Sequence, residues 1–356
     1  MAGMISDLRL QQFRSYADAS FEFGEGVNII VGPNGSGKTN LLEAILIMAL
    51  GTSYRVSDAD LVQFDHDWFR LDAHLEPGDK TRTVKLQTHP RQTKTYELDG
   101  RMYQRLALQH TVPIVLFEPN HLQLLHGAPD VRRSYLDDIL EQTSPGFMSF
   151  RRNYRRVLAQ RNALLKRTRK PTTQEFFPWD LRLSELGATI TRARAELCEQ
   201  LNTKLHGLYK EISVTQTEVS LRYQPKFPLE QYESQLLAKL ESRLAEDHAR
   251  GFTAYGPHRE DFSVTFNARA ANEYASRGET RTVLLALKII ELQLLEQVRG
   301  ETPLLLLDDV FSELDGARRR ALTGFLQRYQ TFLTTTDADV VVKHFTDSTI
   351  IPLSGE

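Results

Sequence analysis

Gly32-Pro-Asn-Gly-Ser-Gly-Lys-Thr39 satisfies every fixed position of G-x-x-x-x-G-K-[ST], a loop whose backbone amides converge on phosphate oxygens. Before it, Gly26-Val-Asn-Ile-Ile-Val31 is an apolar run that reads as a buried strand. After it, Asn40-Leu-Leu-Glu-Ala-Ile-Leu-Ile-Met-Ala-Leu50 reads as a buried helix. Gly32, Pro33, Asn34, Gly35, Ser36 and Gly37 form the cradle, and the helix start that follows adds partial positive charge. Lys38 is placed to reach the outer phosphates, and the Thr39 hydroxyl to meet a magnesium ion. The chain is expected to bind a nucleoside triphosphate.

A second acidic segment completes such a site. Leu304-Leu-Leu-Leu-Asp-Asp309 is four leucines ending in two carboxylates. A buried strand that stops in Asp-Asp sets acids at the carboxyl edge of a sheet, where open α/β folds hold their ligands. Asp308 suits magnesium, directly or through water, and Asp309 suits orienting or deprotonating an attacking water. Ser276-Arg-Gly-Glu279 stands just before a long apolar-periodic segment. Ser276 and the amides around Gly278 would therefore point from a helix start toward an anion, although a plain helix cap reads the same way. Ser312-Glu-Leu-Asp315 follows the acidic strand after a short link and, by itself, equally describes a turn.

The order of these pieces is phosphate loop, long insertion, Ser-x-Gly-Glu with its helix, Leu-Leu-Leu-Leu-Asp-Asp, then Ser-Glu-Leu-Asp. That order resembles the ABC-type ATPase heads of the SMC and DNA-repair group. Further segments narrow the resemblance: Phe13-Arg-Ser-Tyr16, Phe117-Glu-Pro-Asn-His-Leu-Gln-Leu-Leu-His-Gly127, Arg132-Arg-Ser-Tyr-Leu-Asp137, Tyr255-Gly-Pro-His-Arg-Glu-Asp-Phe262 and Ser276-Arg-Gly-Glu-Thr-Arg-Thr282. They look like the RecF family of bacterial recombination mediators, over nearly the whole chain. The resemblance implies ATP and Mg2+ as ligands and a signature, Ser276 with Gly278, that closes over ATP held by a second copy. Lys38, Ser276 and Asp309 are then the catalytic set, and Arg14 meets the nucleotide, although a surface turn is an alternative for Arg14. It further implies an ATP-dependent homodimer on duplex DNA, with slow hydrolysis as a switch. Such a protein acts in recombinational repair and replication-fork maintenance, and with a RecR-type mediator it helps load a recombinase at gaps. Gln123, Glu118 and Asn120 compete for the role of magnesium-sensing side chain.

The sequence departs from the wider pattern at three places. Arg277 stands where a glycine is usual and Glu279 where many relatives have glutamine; Asp309 is one methylene shorter than the glutamate of transporters; and no histidine follows Thr334-Thr-Thr-Asp337. All three suit a timing ATPase better than a pump. The ATPase subunit of a membrane transporter would carry a Ser-Gly-Gly-Gln signature and that histidine. A small-molecule kinase or GTPase would leave the Ser-x-Gly-Glu and Ser-Glu-Leu-Asp segments unexplained.

The expected fold class is α/β, an ABC-type P-loop ATPase head with a mostly helical inserted lobe. Alternating and apolar runs at 8–13, 19–23, 68–75, 83–87, 95–98 and 113–117 read as strands. From about 120 to 248 helical periodicity takes over, broken at Ser144-Pro145-Gly146, at Lys170-Pro171 and by a β-like patch at 218–223. Strand and helix patterns then return, with a long helix at 279–298. The head is assigned residues 1–119 and 249–356, and the helical lobe 120–248.

Within the lobe, Phe150 to Lys170 carries Arg151, Arg152, Arg155, Arg156, Arg161, Lys166, Arg167, Arg169 and Lys170 and no acid. Arg151, Arg152, Arg155 and Arg156 are the expected contacts to DNA phosphates, with a solvated basic face as the alternative. His258 and Arg259 sit in a Gly-Pro turn that reads as a solvated loop. Cys198, the single cysteine, allows no internal disulfide and reads as helix packing. With 44 basic and 46 acidic residues the chain is no general polycation. No apolar run is long enough for a membrane span, and the first residues lack a secretion-signal layout, so a cytoplasmic protein is expected.

Overall fold

The computed structural model describes residues 3–354 except 170, 171, 214, 338–340 and 346. The chain divides into two compact units: one holds residues up to His121 and from Lys288 onward, the other is Leu122–Leu287.

The first unit begins with β1 (Met4–Phe13) and β2 (Tyr16–Glu22), followed by β3 (Val27–Val31) and α1 (Lys38–Leu50). Then come β4 (Trp68–Glu76), β5 (Lys80–Gln87), β6 (Thr93–Leu98), β7 (Arg101–Tyr103) and β8 (Ile114–Phe117). The second unit contains α2 (Pro129–Thr143), α3 (Phe147–Leu165), α4 (Thr173–Ser213), β9 (Val219–Gln224), α5 (Tyr232–Ser242) and α6 (Leu244–Arg250). It continues through β10 (Asp261–Phe266), β11 (Arg269–Ala270) and α7 (Ala271–Tyr274) into α8 (Arg277–Arg299). The chain ends with β12 (Leu304–Asp308), α9 (Val310–Glu313), α10 (Gly316–Leu326), β13 (Thr331–Thr335) and β14 (Ser348–Pro352).

Two sheets build the first unit. One is antiparallel, in the order β2-β1-β4-β5-β6-β7, and the other runs β14-β3-β13-β12-β8 with every pairing parallel. Their sequences differ as their surroundings require. β4 alternates buried and exposed positions, as a sheet with one wet face does, whereas Leu304–Leu307 and all of β13 are buried. Helix α1 buries ten of its thirteen residues. Its side chains pack in one core with β1, β4 and β5 on the antiparallel sheet and with Ile30, Ile114, Leu304, Leu306 and Phe332 on the parallel one. A helix apolar all round belongs between two layers.

The second unit is not purely helical. β10 pairs with β9 across Asp261↔Gln224 to Phe266↔Val219, so the residues after 249 pair with the insertion and the unit continues to Leu287. The boundary expected at 248/249 therefore differs from the one that packing sets. The first boundary, at 121/122, lies beside the expected 119/120. β14, which flanks β3, has no counterpart in the expected strands, because five residues ending in proline carry little periodic signal.

Candidate nucleotide site

β3 ends at Val31 and the phosphate loop connects it to α1. Gly37 caps α1 with φ 90°, a left-handed conformation that strains any L residue with a side chain. A Cβ there would also come within 2.8 Å of Tyr16 Oη. At Gly32 a Cβ would meet the Leu353 carbonyl oxygen at 2.7 Å. The glycines are thus required by conformation and by close approach.

Lys38 is buried, and its Nζ donates to the carbonyls of Gly32 at 2.7 Å and Pro33 at 2.8 Å, so the ammonium lies inside the loop it serves. Thr39 Oγ1 donates to the Asp308 carboxylate, at 3.2 Å and 3.1 Å from its two oxygens. This hydrogen bond joins residues 269 positions apart in sequence, because β13 alone separates β3 from β12 in the sheet. Asp309 follows with φ 55° and caps α9; its backbone N–H donates to Thr334 Oγ1 at 2.9 Å. Thr334 Oγ1 in turn donates to Asp308 Oδ1 at 2.8 Å. Sequence reasoning noted Thr334 only for the missing histidine. The structure makes it the link that fixes both aspartates.

Glu118 follows Phe117, which pairs with Leu307, so it stands beside Asp308 at the same sheet edge. Burial raises its carboxyl above the ordinary range, and the Asp308 charge raises it further, partly offset by Arg55. Tyr54 faces the same acids: burial, Glu118 and Asp308 push its phenol up. Of the other two candidates, Asn120 is exposed and Gln123 belongs to the other unit. His121 Nδ1 accepts from the Glu118 amide at 3.0 Å; burial, with the Lys288 charge second, lowers its pKa well below the ordinary value.

The donor set suits a phosphate and a hard cation. Thr39 and Asp308 offer oxygen donors, and Ser36 Oγ is buried in the loop without a hydrogen-bond partner among the described residues. Arg14 lies in the turn between β1 and β2. Its guanidinium is 3.0 Å from the buried Glu43 carboxylate on α1 and donates to the Asp60 carbonyl, so it anchors the β1–β2 turn against that helix. The same turn reaches the loop through Tyr16 Oη, which donates to the Gly37 carbonyl at 3.1 Å, and through Ser15, which accepts from Asn40.

In the second unit Ser276 caps α8 in a reciprocal box. The Glu279 amide donates to Ser276 Oγ at 3.2 Å, and the Ser276 amide donates to Glu279 Oε2 at 2.8 Å. Glu279 thus has a local role, and Gly278 lies in that first turn. Of Ser312-Glu-Leu-Asp315, the side chains of Ser312 and Glu313 lie outside the described residues. Asp315 caps α10 by accepting from the Arg318 amide at 3.0 Å.

The basic segment is not one uniform face. Arg152, Arg155 and Arg156 are exposed on α3. Arg151 is corrected: its guanidinium is 13% exposed, 2.9 Å from Asp137 and 2.8 Å from Glu141, and so braces α3 to α2 instead of facing solvent. Arg161 is fully buried between Asp180 and Asp247, and Lys170 lies outside the described residues. His258 is corrected as well. It is half-buried, 2.7 Å from Tyr154 Oη through Nδ1 and 3.0 Å from the Thr253 carbonyl through Nε2. Burial lowers its pKa to about 4. Arg259 stacks over the Phe252 ring. Next to them Glu260, wholly buried, accepts from Thr191, Tyr223, Tyr232 and the Lys226 amide. Cys198 is buried and free.

A parallel sheet whose phosphate loop meets a strand ending in Asp-Asp, beside an antiparallel sheet and with an inserted second unit, defines the ABC-type P-loop ATPase head. The model of the RecF/RecN/SMC N-terminal domain family matches residues 4–350. DNA replication and repair protein RecF of Heliobacterium modesticaldum is 36% identical over 342 residues, covering 93% of this chain and 92% of that protein. The protein of the same name from Streptococcus suis is 36% identical, covering 93% and 92%. A solved structure of the recombination mediator RecF with ATP, in the RecFOR pathway, superposes with a TM-score of 0.84 at 30% identity, covering 94% of this chain and 92% of that one. The chain belongs to the RecF family. Among the described residues, no helix is long and apolar enough to cross a membrane.

Proposed function

We propose that this protein is an ATP-gated DNA-binding switch of recombinational repair and replication-fork maintenance, as the names of its RecF relatives support. The observation that carries the reading is the Thr39–Asp308 hydrogen bond, which unites phosphate loop and acidic strand in one site. ATP is the nucleotide, in keeping with the relative solved with it. Thr39 and Asp308 hold Mg2+, which neutralises phosphate charge when bound. Lys38 neutralises charge on the outer phosphates, and Asp309 orients or deprotonates the attacking water, with Thr334 fixing its backbone. Arg14, through its bond to Glu43, acts on the nucleotide by holding the Ser15–Tyr16 turn against the loop.

ATP binding assembles a homodimer in which Ser276 and Gly278 of one copy close over the nucleotide of the other. The dimer holds duplex DNA, slow hydrolysis releases it, and a RecR-type mediator joins it in loading recombinase at gaps. Arg152, Arg155 and Arg156 contact DNA phosphates. Duplex binding measured with no nucleotide, with ADP and with a non-hydrolysable ATP analogue tests this reading. Tight binding only with the analogue is expected; equal binding in all three states would contradict it. Ser276→Arg should keep ATP affinity while losing dimerisation, and loss of ATP affinity in the monomer would count against the trans role.

A further inference from the structure

The antiparallel sheet of the first unit ends in a basic trough that the nucleotide site does not use. β6 and β7 pair only from Tyr96↔Tyr103 to Leu98↔Arg101. Beyond Tyr96 and Tyr103 the two chains part around an open cavity of about 680 Å³, lined by Arg91, Gln92, Thr93, Lys94, Gln104 and Arg105. No carboxylate and no aromatic ring lines it. Lys94 is neutralised by an ion pair with Asp58, whereas Arg91 and Arg105 are exposed and form no ion pair among the described residues. The β7 edge is only three residues long, with Arg101 and Met102 exposed, too short to invite an added strand.

Building on the DNA-binding reading above, we infer that this trough is a contact site for the phosphodiester backbone of nucleic acid, with Arg91 and Arg105 as its phosphate ligands. Two guanidiniums present planar forks of donors that match phosphate oxygens, and Gln92, Thr93 and Gln104 add neutral donors of the kind found on sugar–phosphate backbones. A free nucleotide would need an enclosed pocket with a wall for its base, and this cavity is open and has no aromatic ring in its lining. Backbone contacts carry no sequence information, so the trough strengthens binding to any duplex alike.

The experiment titrates duplexes of two unrelated sequences with the full-length protein and a non-hydrolysable ATP analogue over a range of KCl, comparing the unaltered chain with Arg91→Ala/Arg105→Ala. Two lost phosphate contacts should flatten the slope of log K against log salt by about 1.8 units, equally for both sequences. ATP binding and DNA-independent hydrolysis, measured in parallel, should not change, because neither arginine touches the phosphate loop. DNA binding with an unaltered slope in the double variant overturns the trough, as expected if it faces an acidic protein instead. Absence of duplex binding by the unaltered chain overturns the DNA-binding reading, and the trough with it.

Discussion

Thr334 shows how one side chain can set the chemistry of two others. Its hydroxyl donates to Asp308 and accepts from the amide of Asp309. Thr334→Val keeps the shape and removes both bonds. Hydrogen bonds to charged groups contribute about 1.5–3 kcal/mol, so the magnesium concentration for half-maximal ATPase should rise on the order of tenfold. Nucleotide binding measured without magnesium should change little. An unaltered magnesium dependence would show that Thr334 does not position Asp308. The loop and the Asp-Asp strand were legible in the sequence because their residue types are bound to spacing and to an apolar run. Thr334 was not, because a threonine at a strand end looks like any other until the strand order places it between β3 and β12.

Helix α3 divides its cations between structure and surface. Arg151 answers to Asp137 and Glu141 on α2, so Arg151→Ala should destabilise the protein by about 1 kcal/mol through the lost brace between the helices, Asp137 keeping its ion pair with Arg194. Arg152, Arg155 and Arg156 replaced together by alanine should leave thermal stability nearly unchanged. The salt slope of duplex binding should flatten by up to about 2.7 units. A DNA defect in Arg151→Ala without a stability loss would reverse that division. Helical periodicity identified the segment, but it could not separate Arg151 from Arg152, because the partner acids lie on another helix. His258 gives this region a pH signature. Its folded pKa, about 4, lies below the unfolded value near 6.5, so between these values the unfolded chain binds more protons. The neutral-His contribution, about 3 kcal/mol at most, is fully present above pH 6.5 and is lost as pH falls toward 4. Urea unfolding of the unaltered chain and of His258→Gln across that window checks it: the variant should show a shallower decline, and identical declines would rule His258 out.

At the scale of the whole molecule, the Asp308 and Asp309 strand completes the nucleotide site within the first unit, while the Ser276 signature belongs to the second. The family resemblance was legible across nearly the entire chain, but the unit boundary was not, since it depends on β10 pairing back onto β9. Nucleotide held by the phosphate loop is expected to control self-association. Sedimentation velocity with and without ATP tests it most directly, on the unaltered chain, Lys38→Met and Asp309→Asn. The unaltered chain should form a reversible dimer with ATP, Lys38→Met should stay monomeric throughout, and Asp309→Asn should form a dimer that persists with ATP. Lys38→Met forming the same ATP-dependent dimer as the unaltered chain would contradict that control.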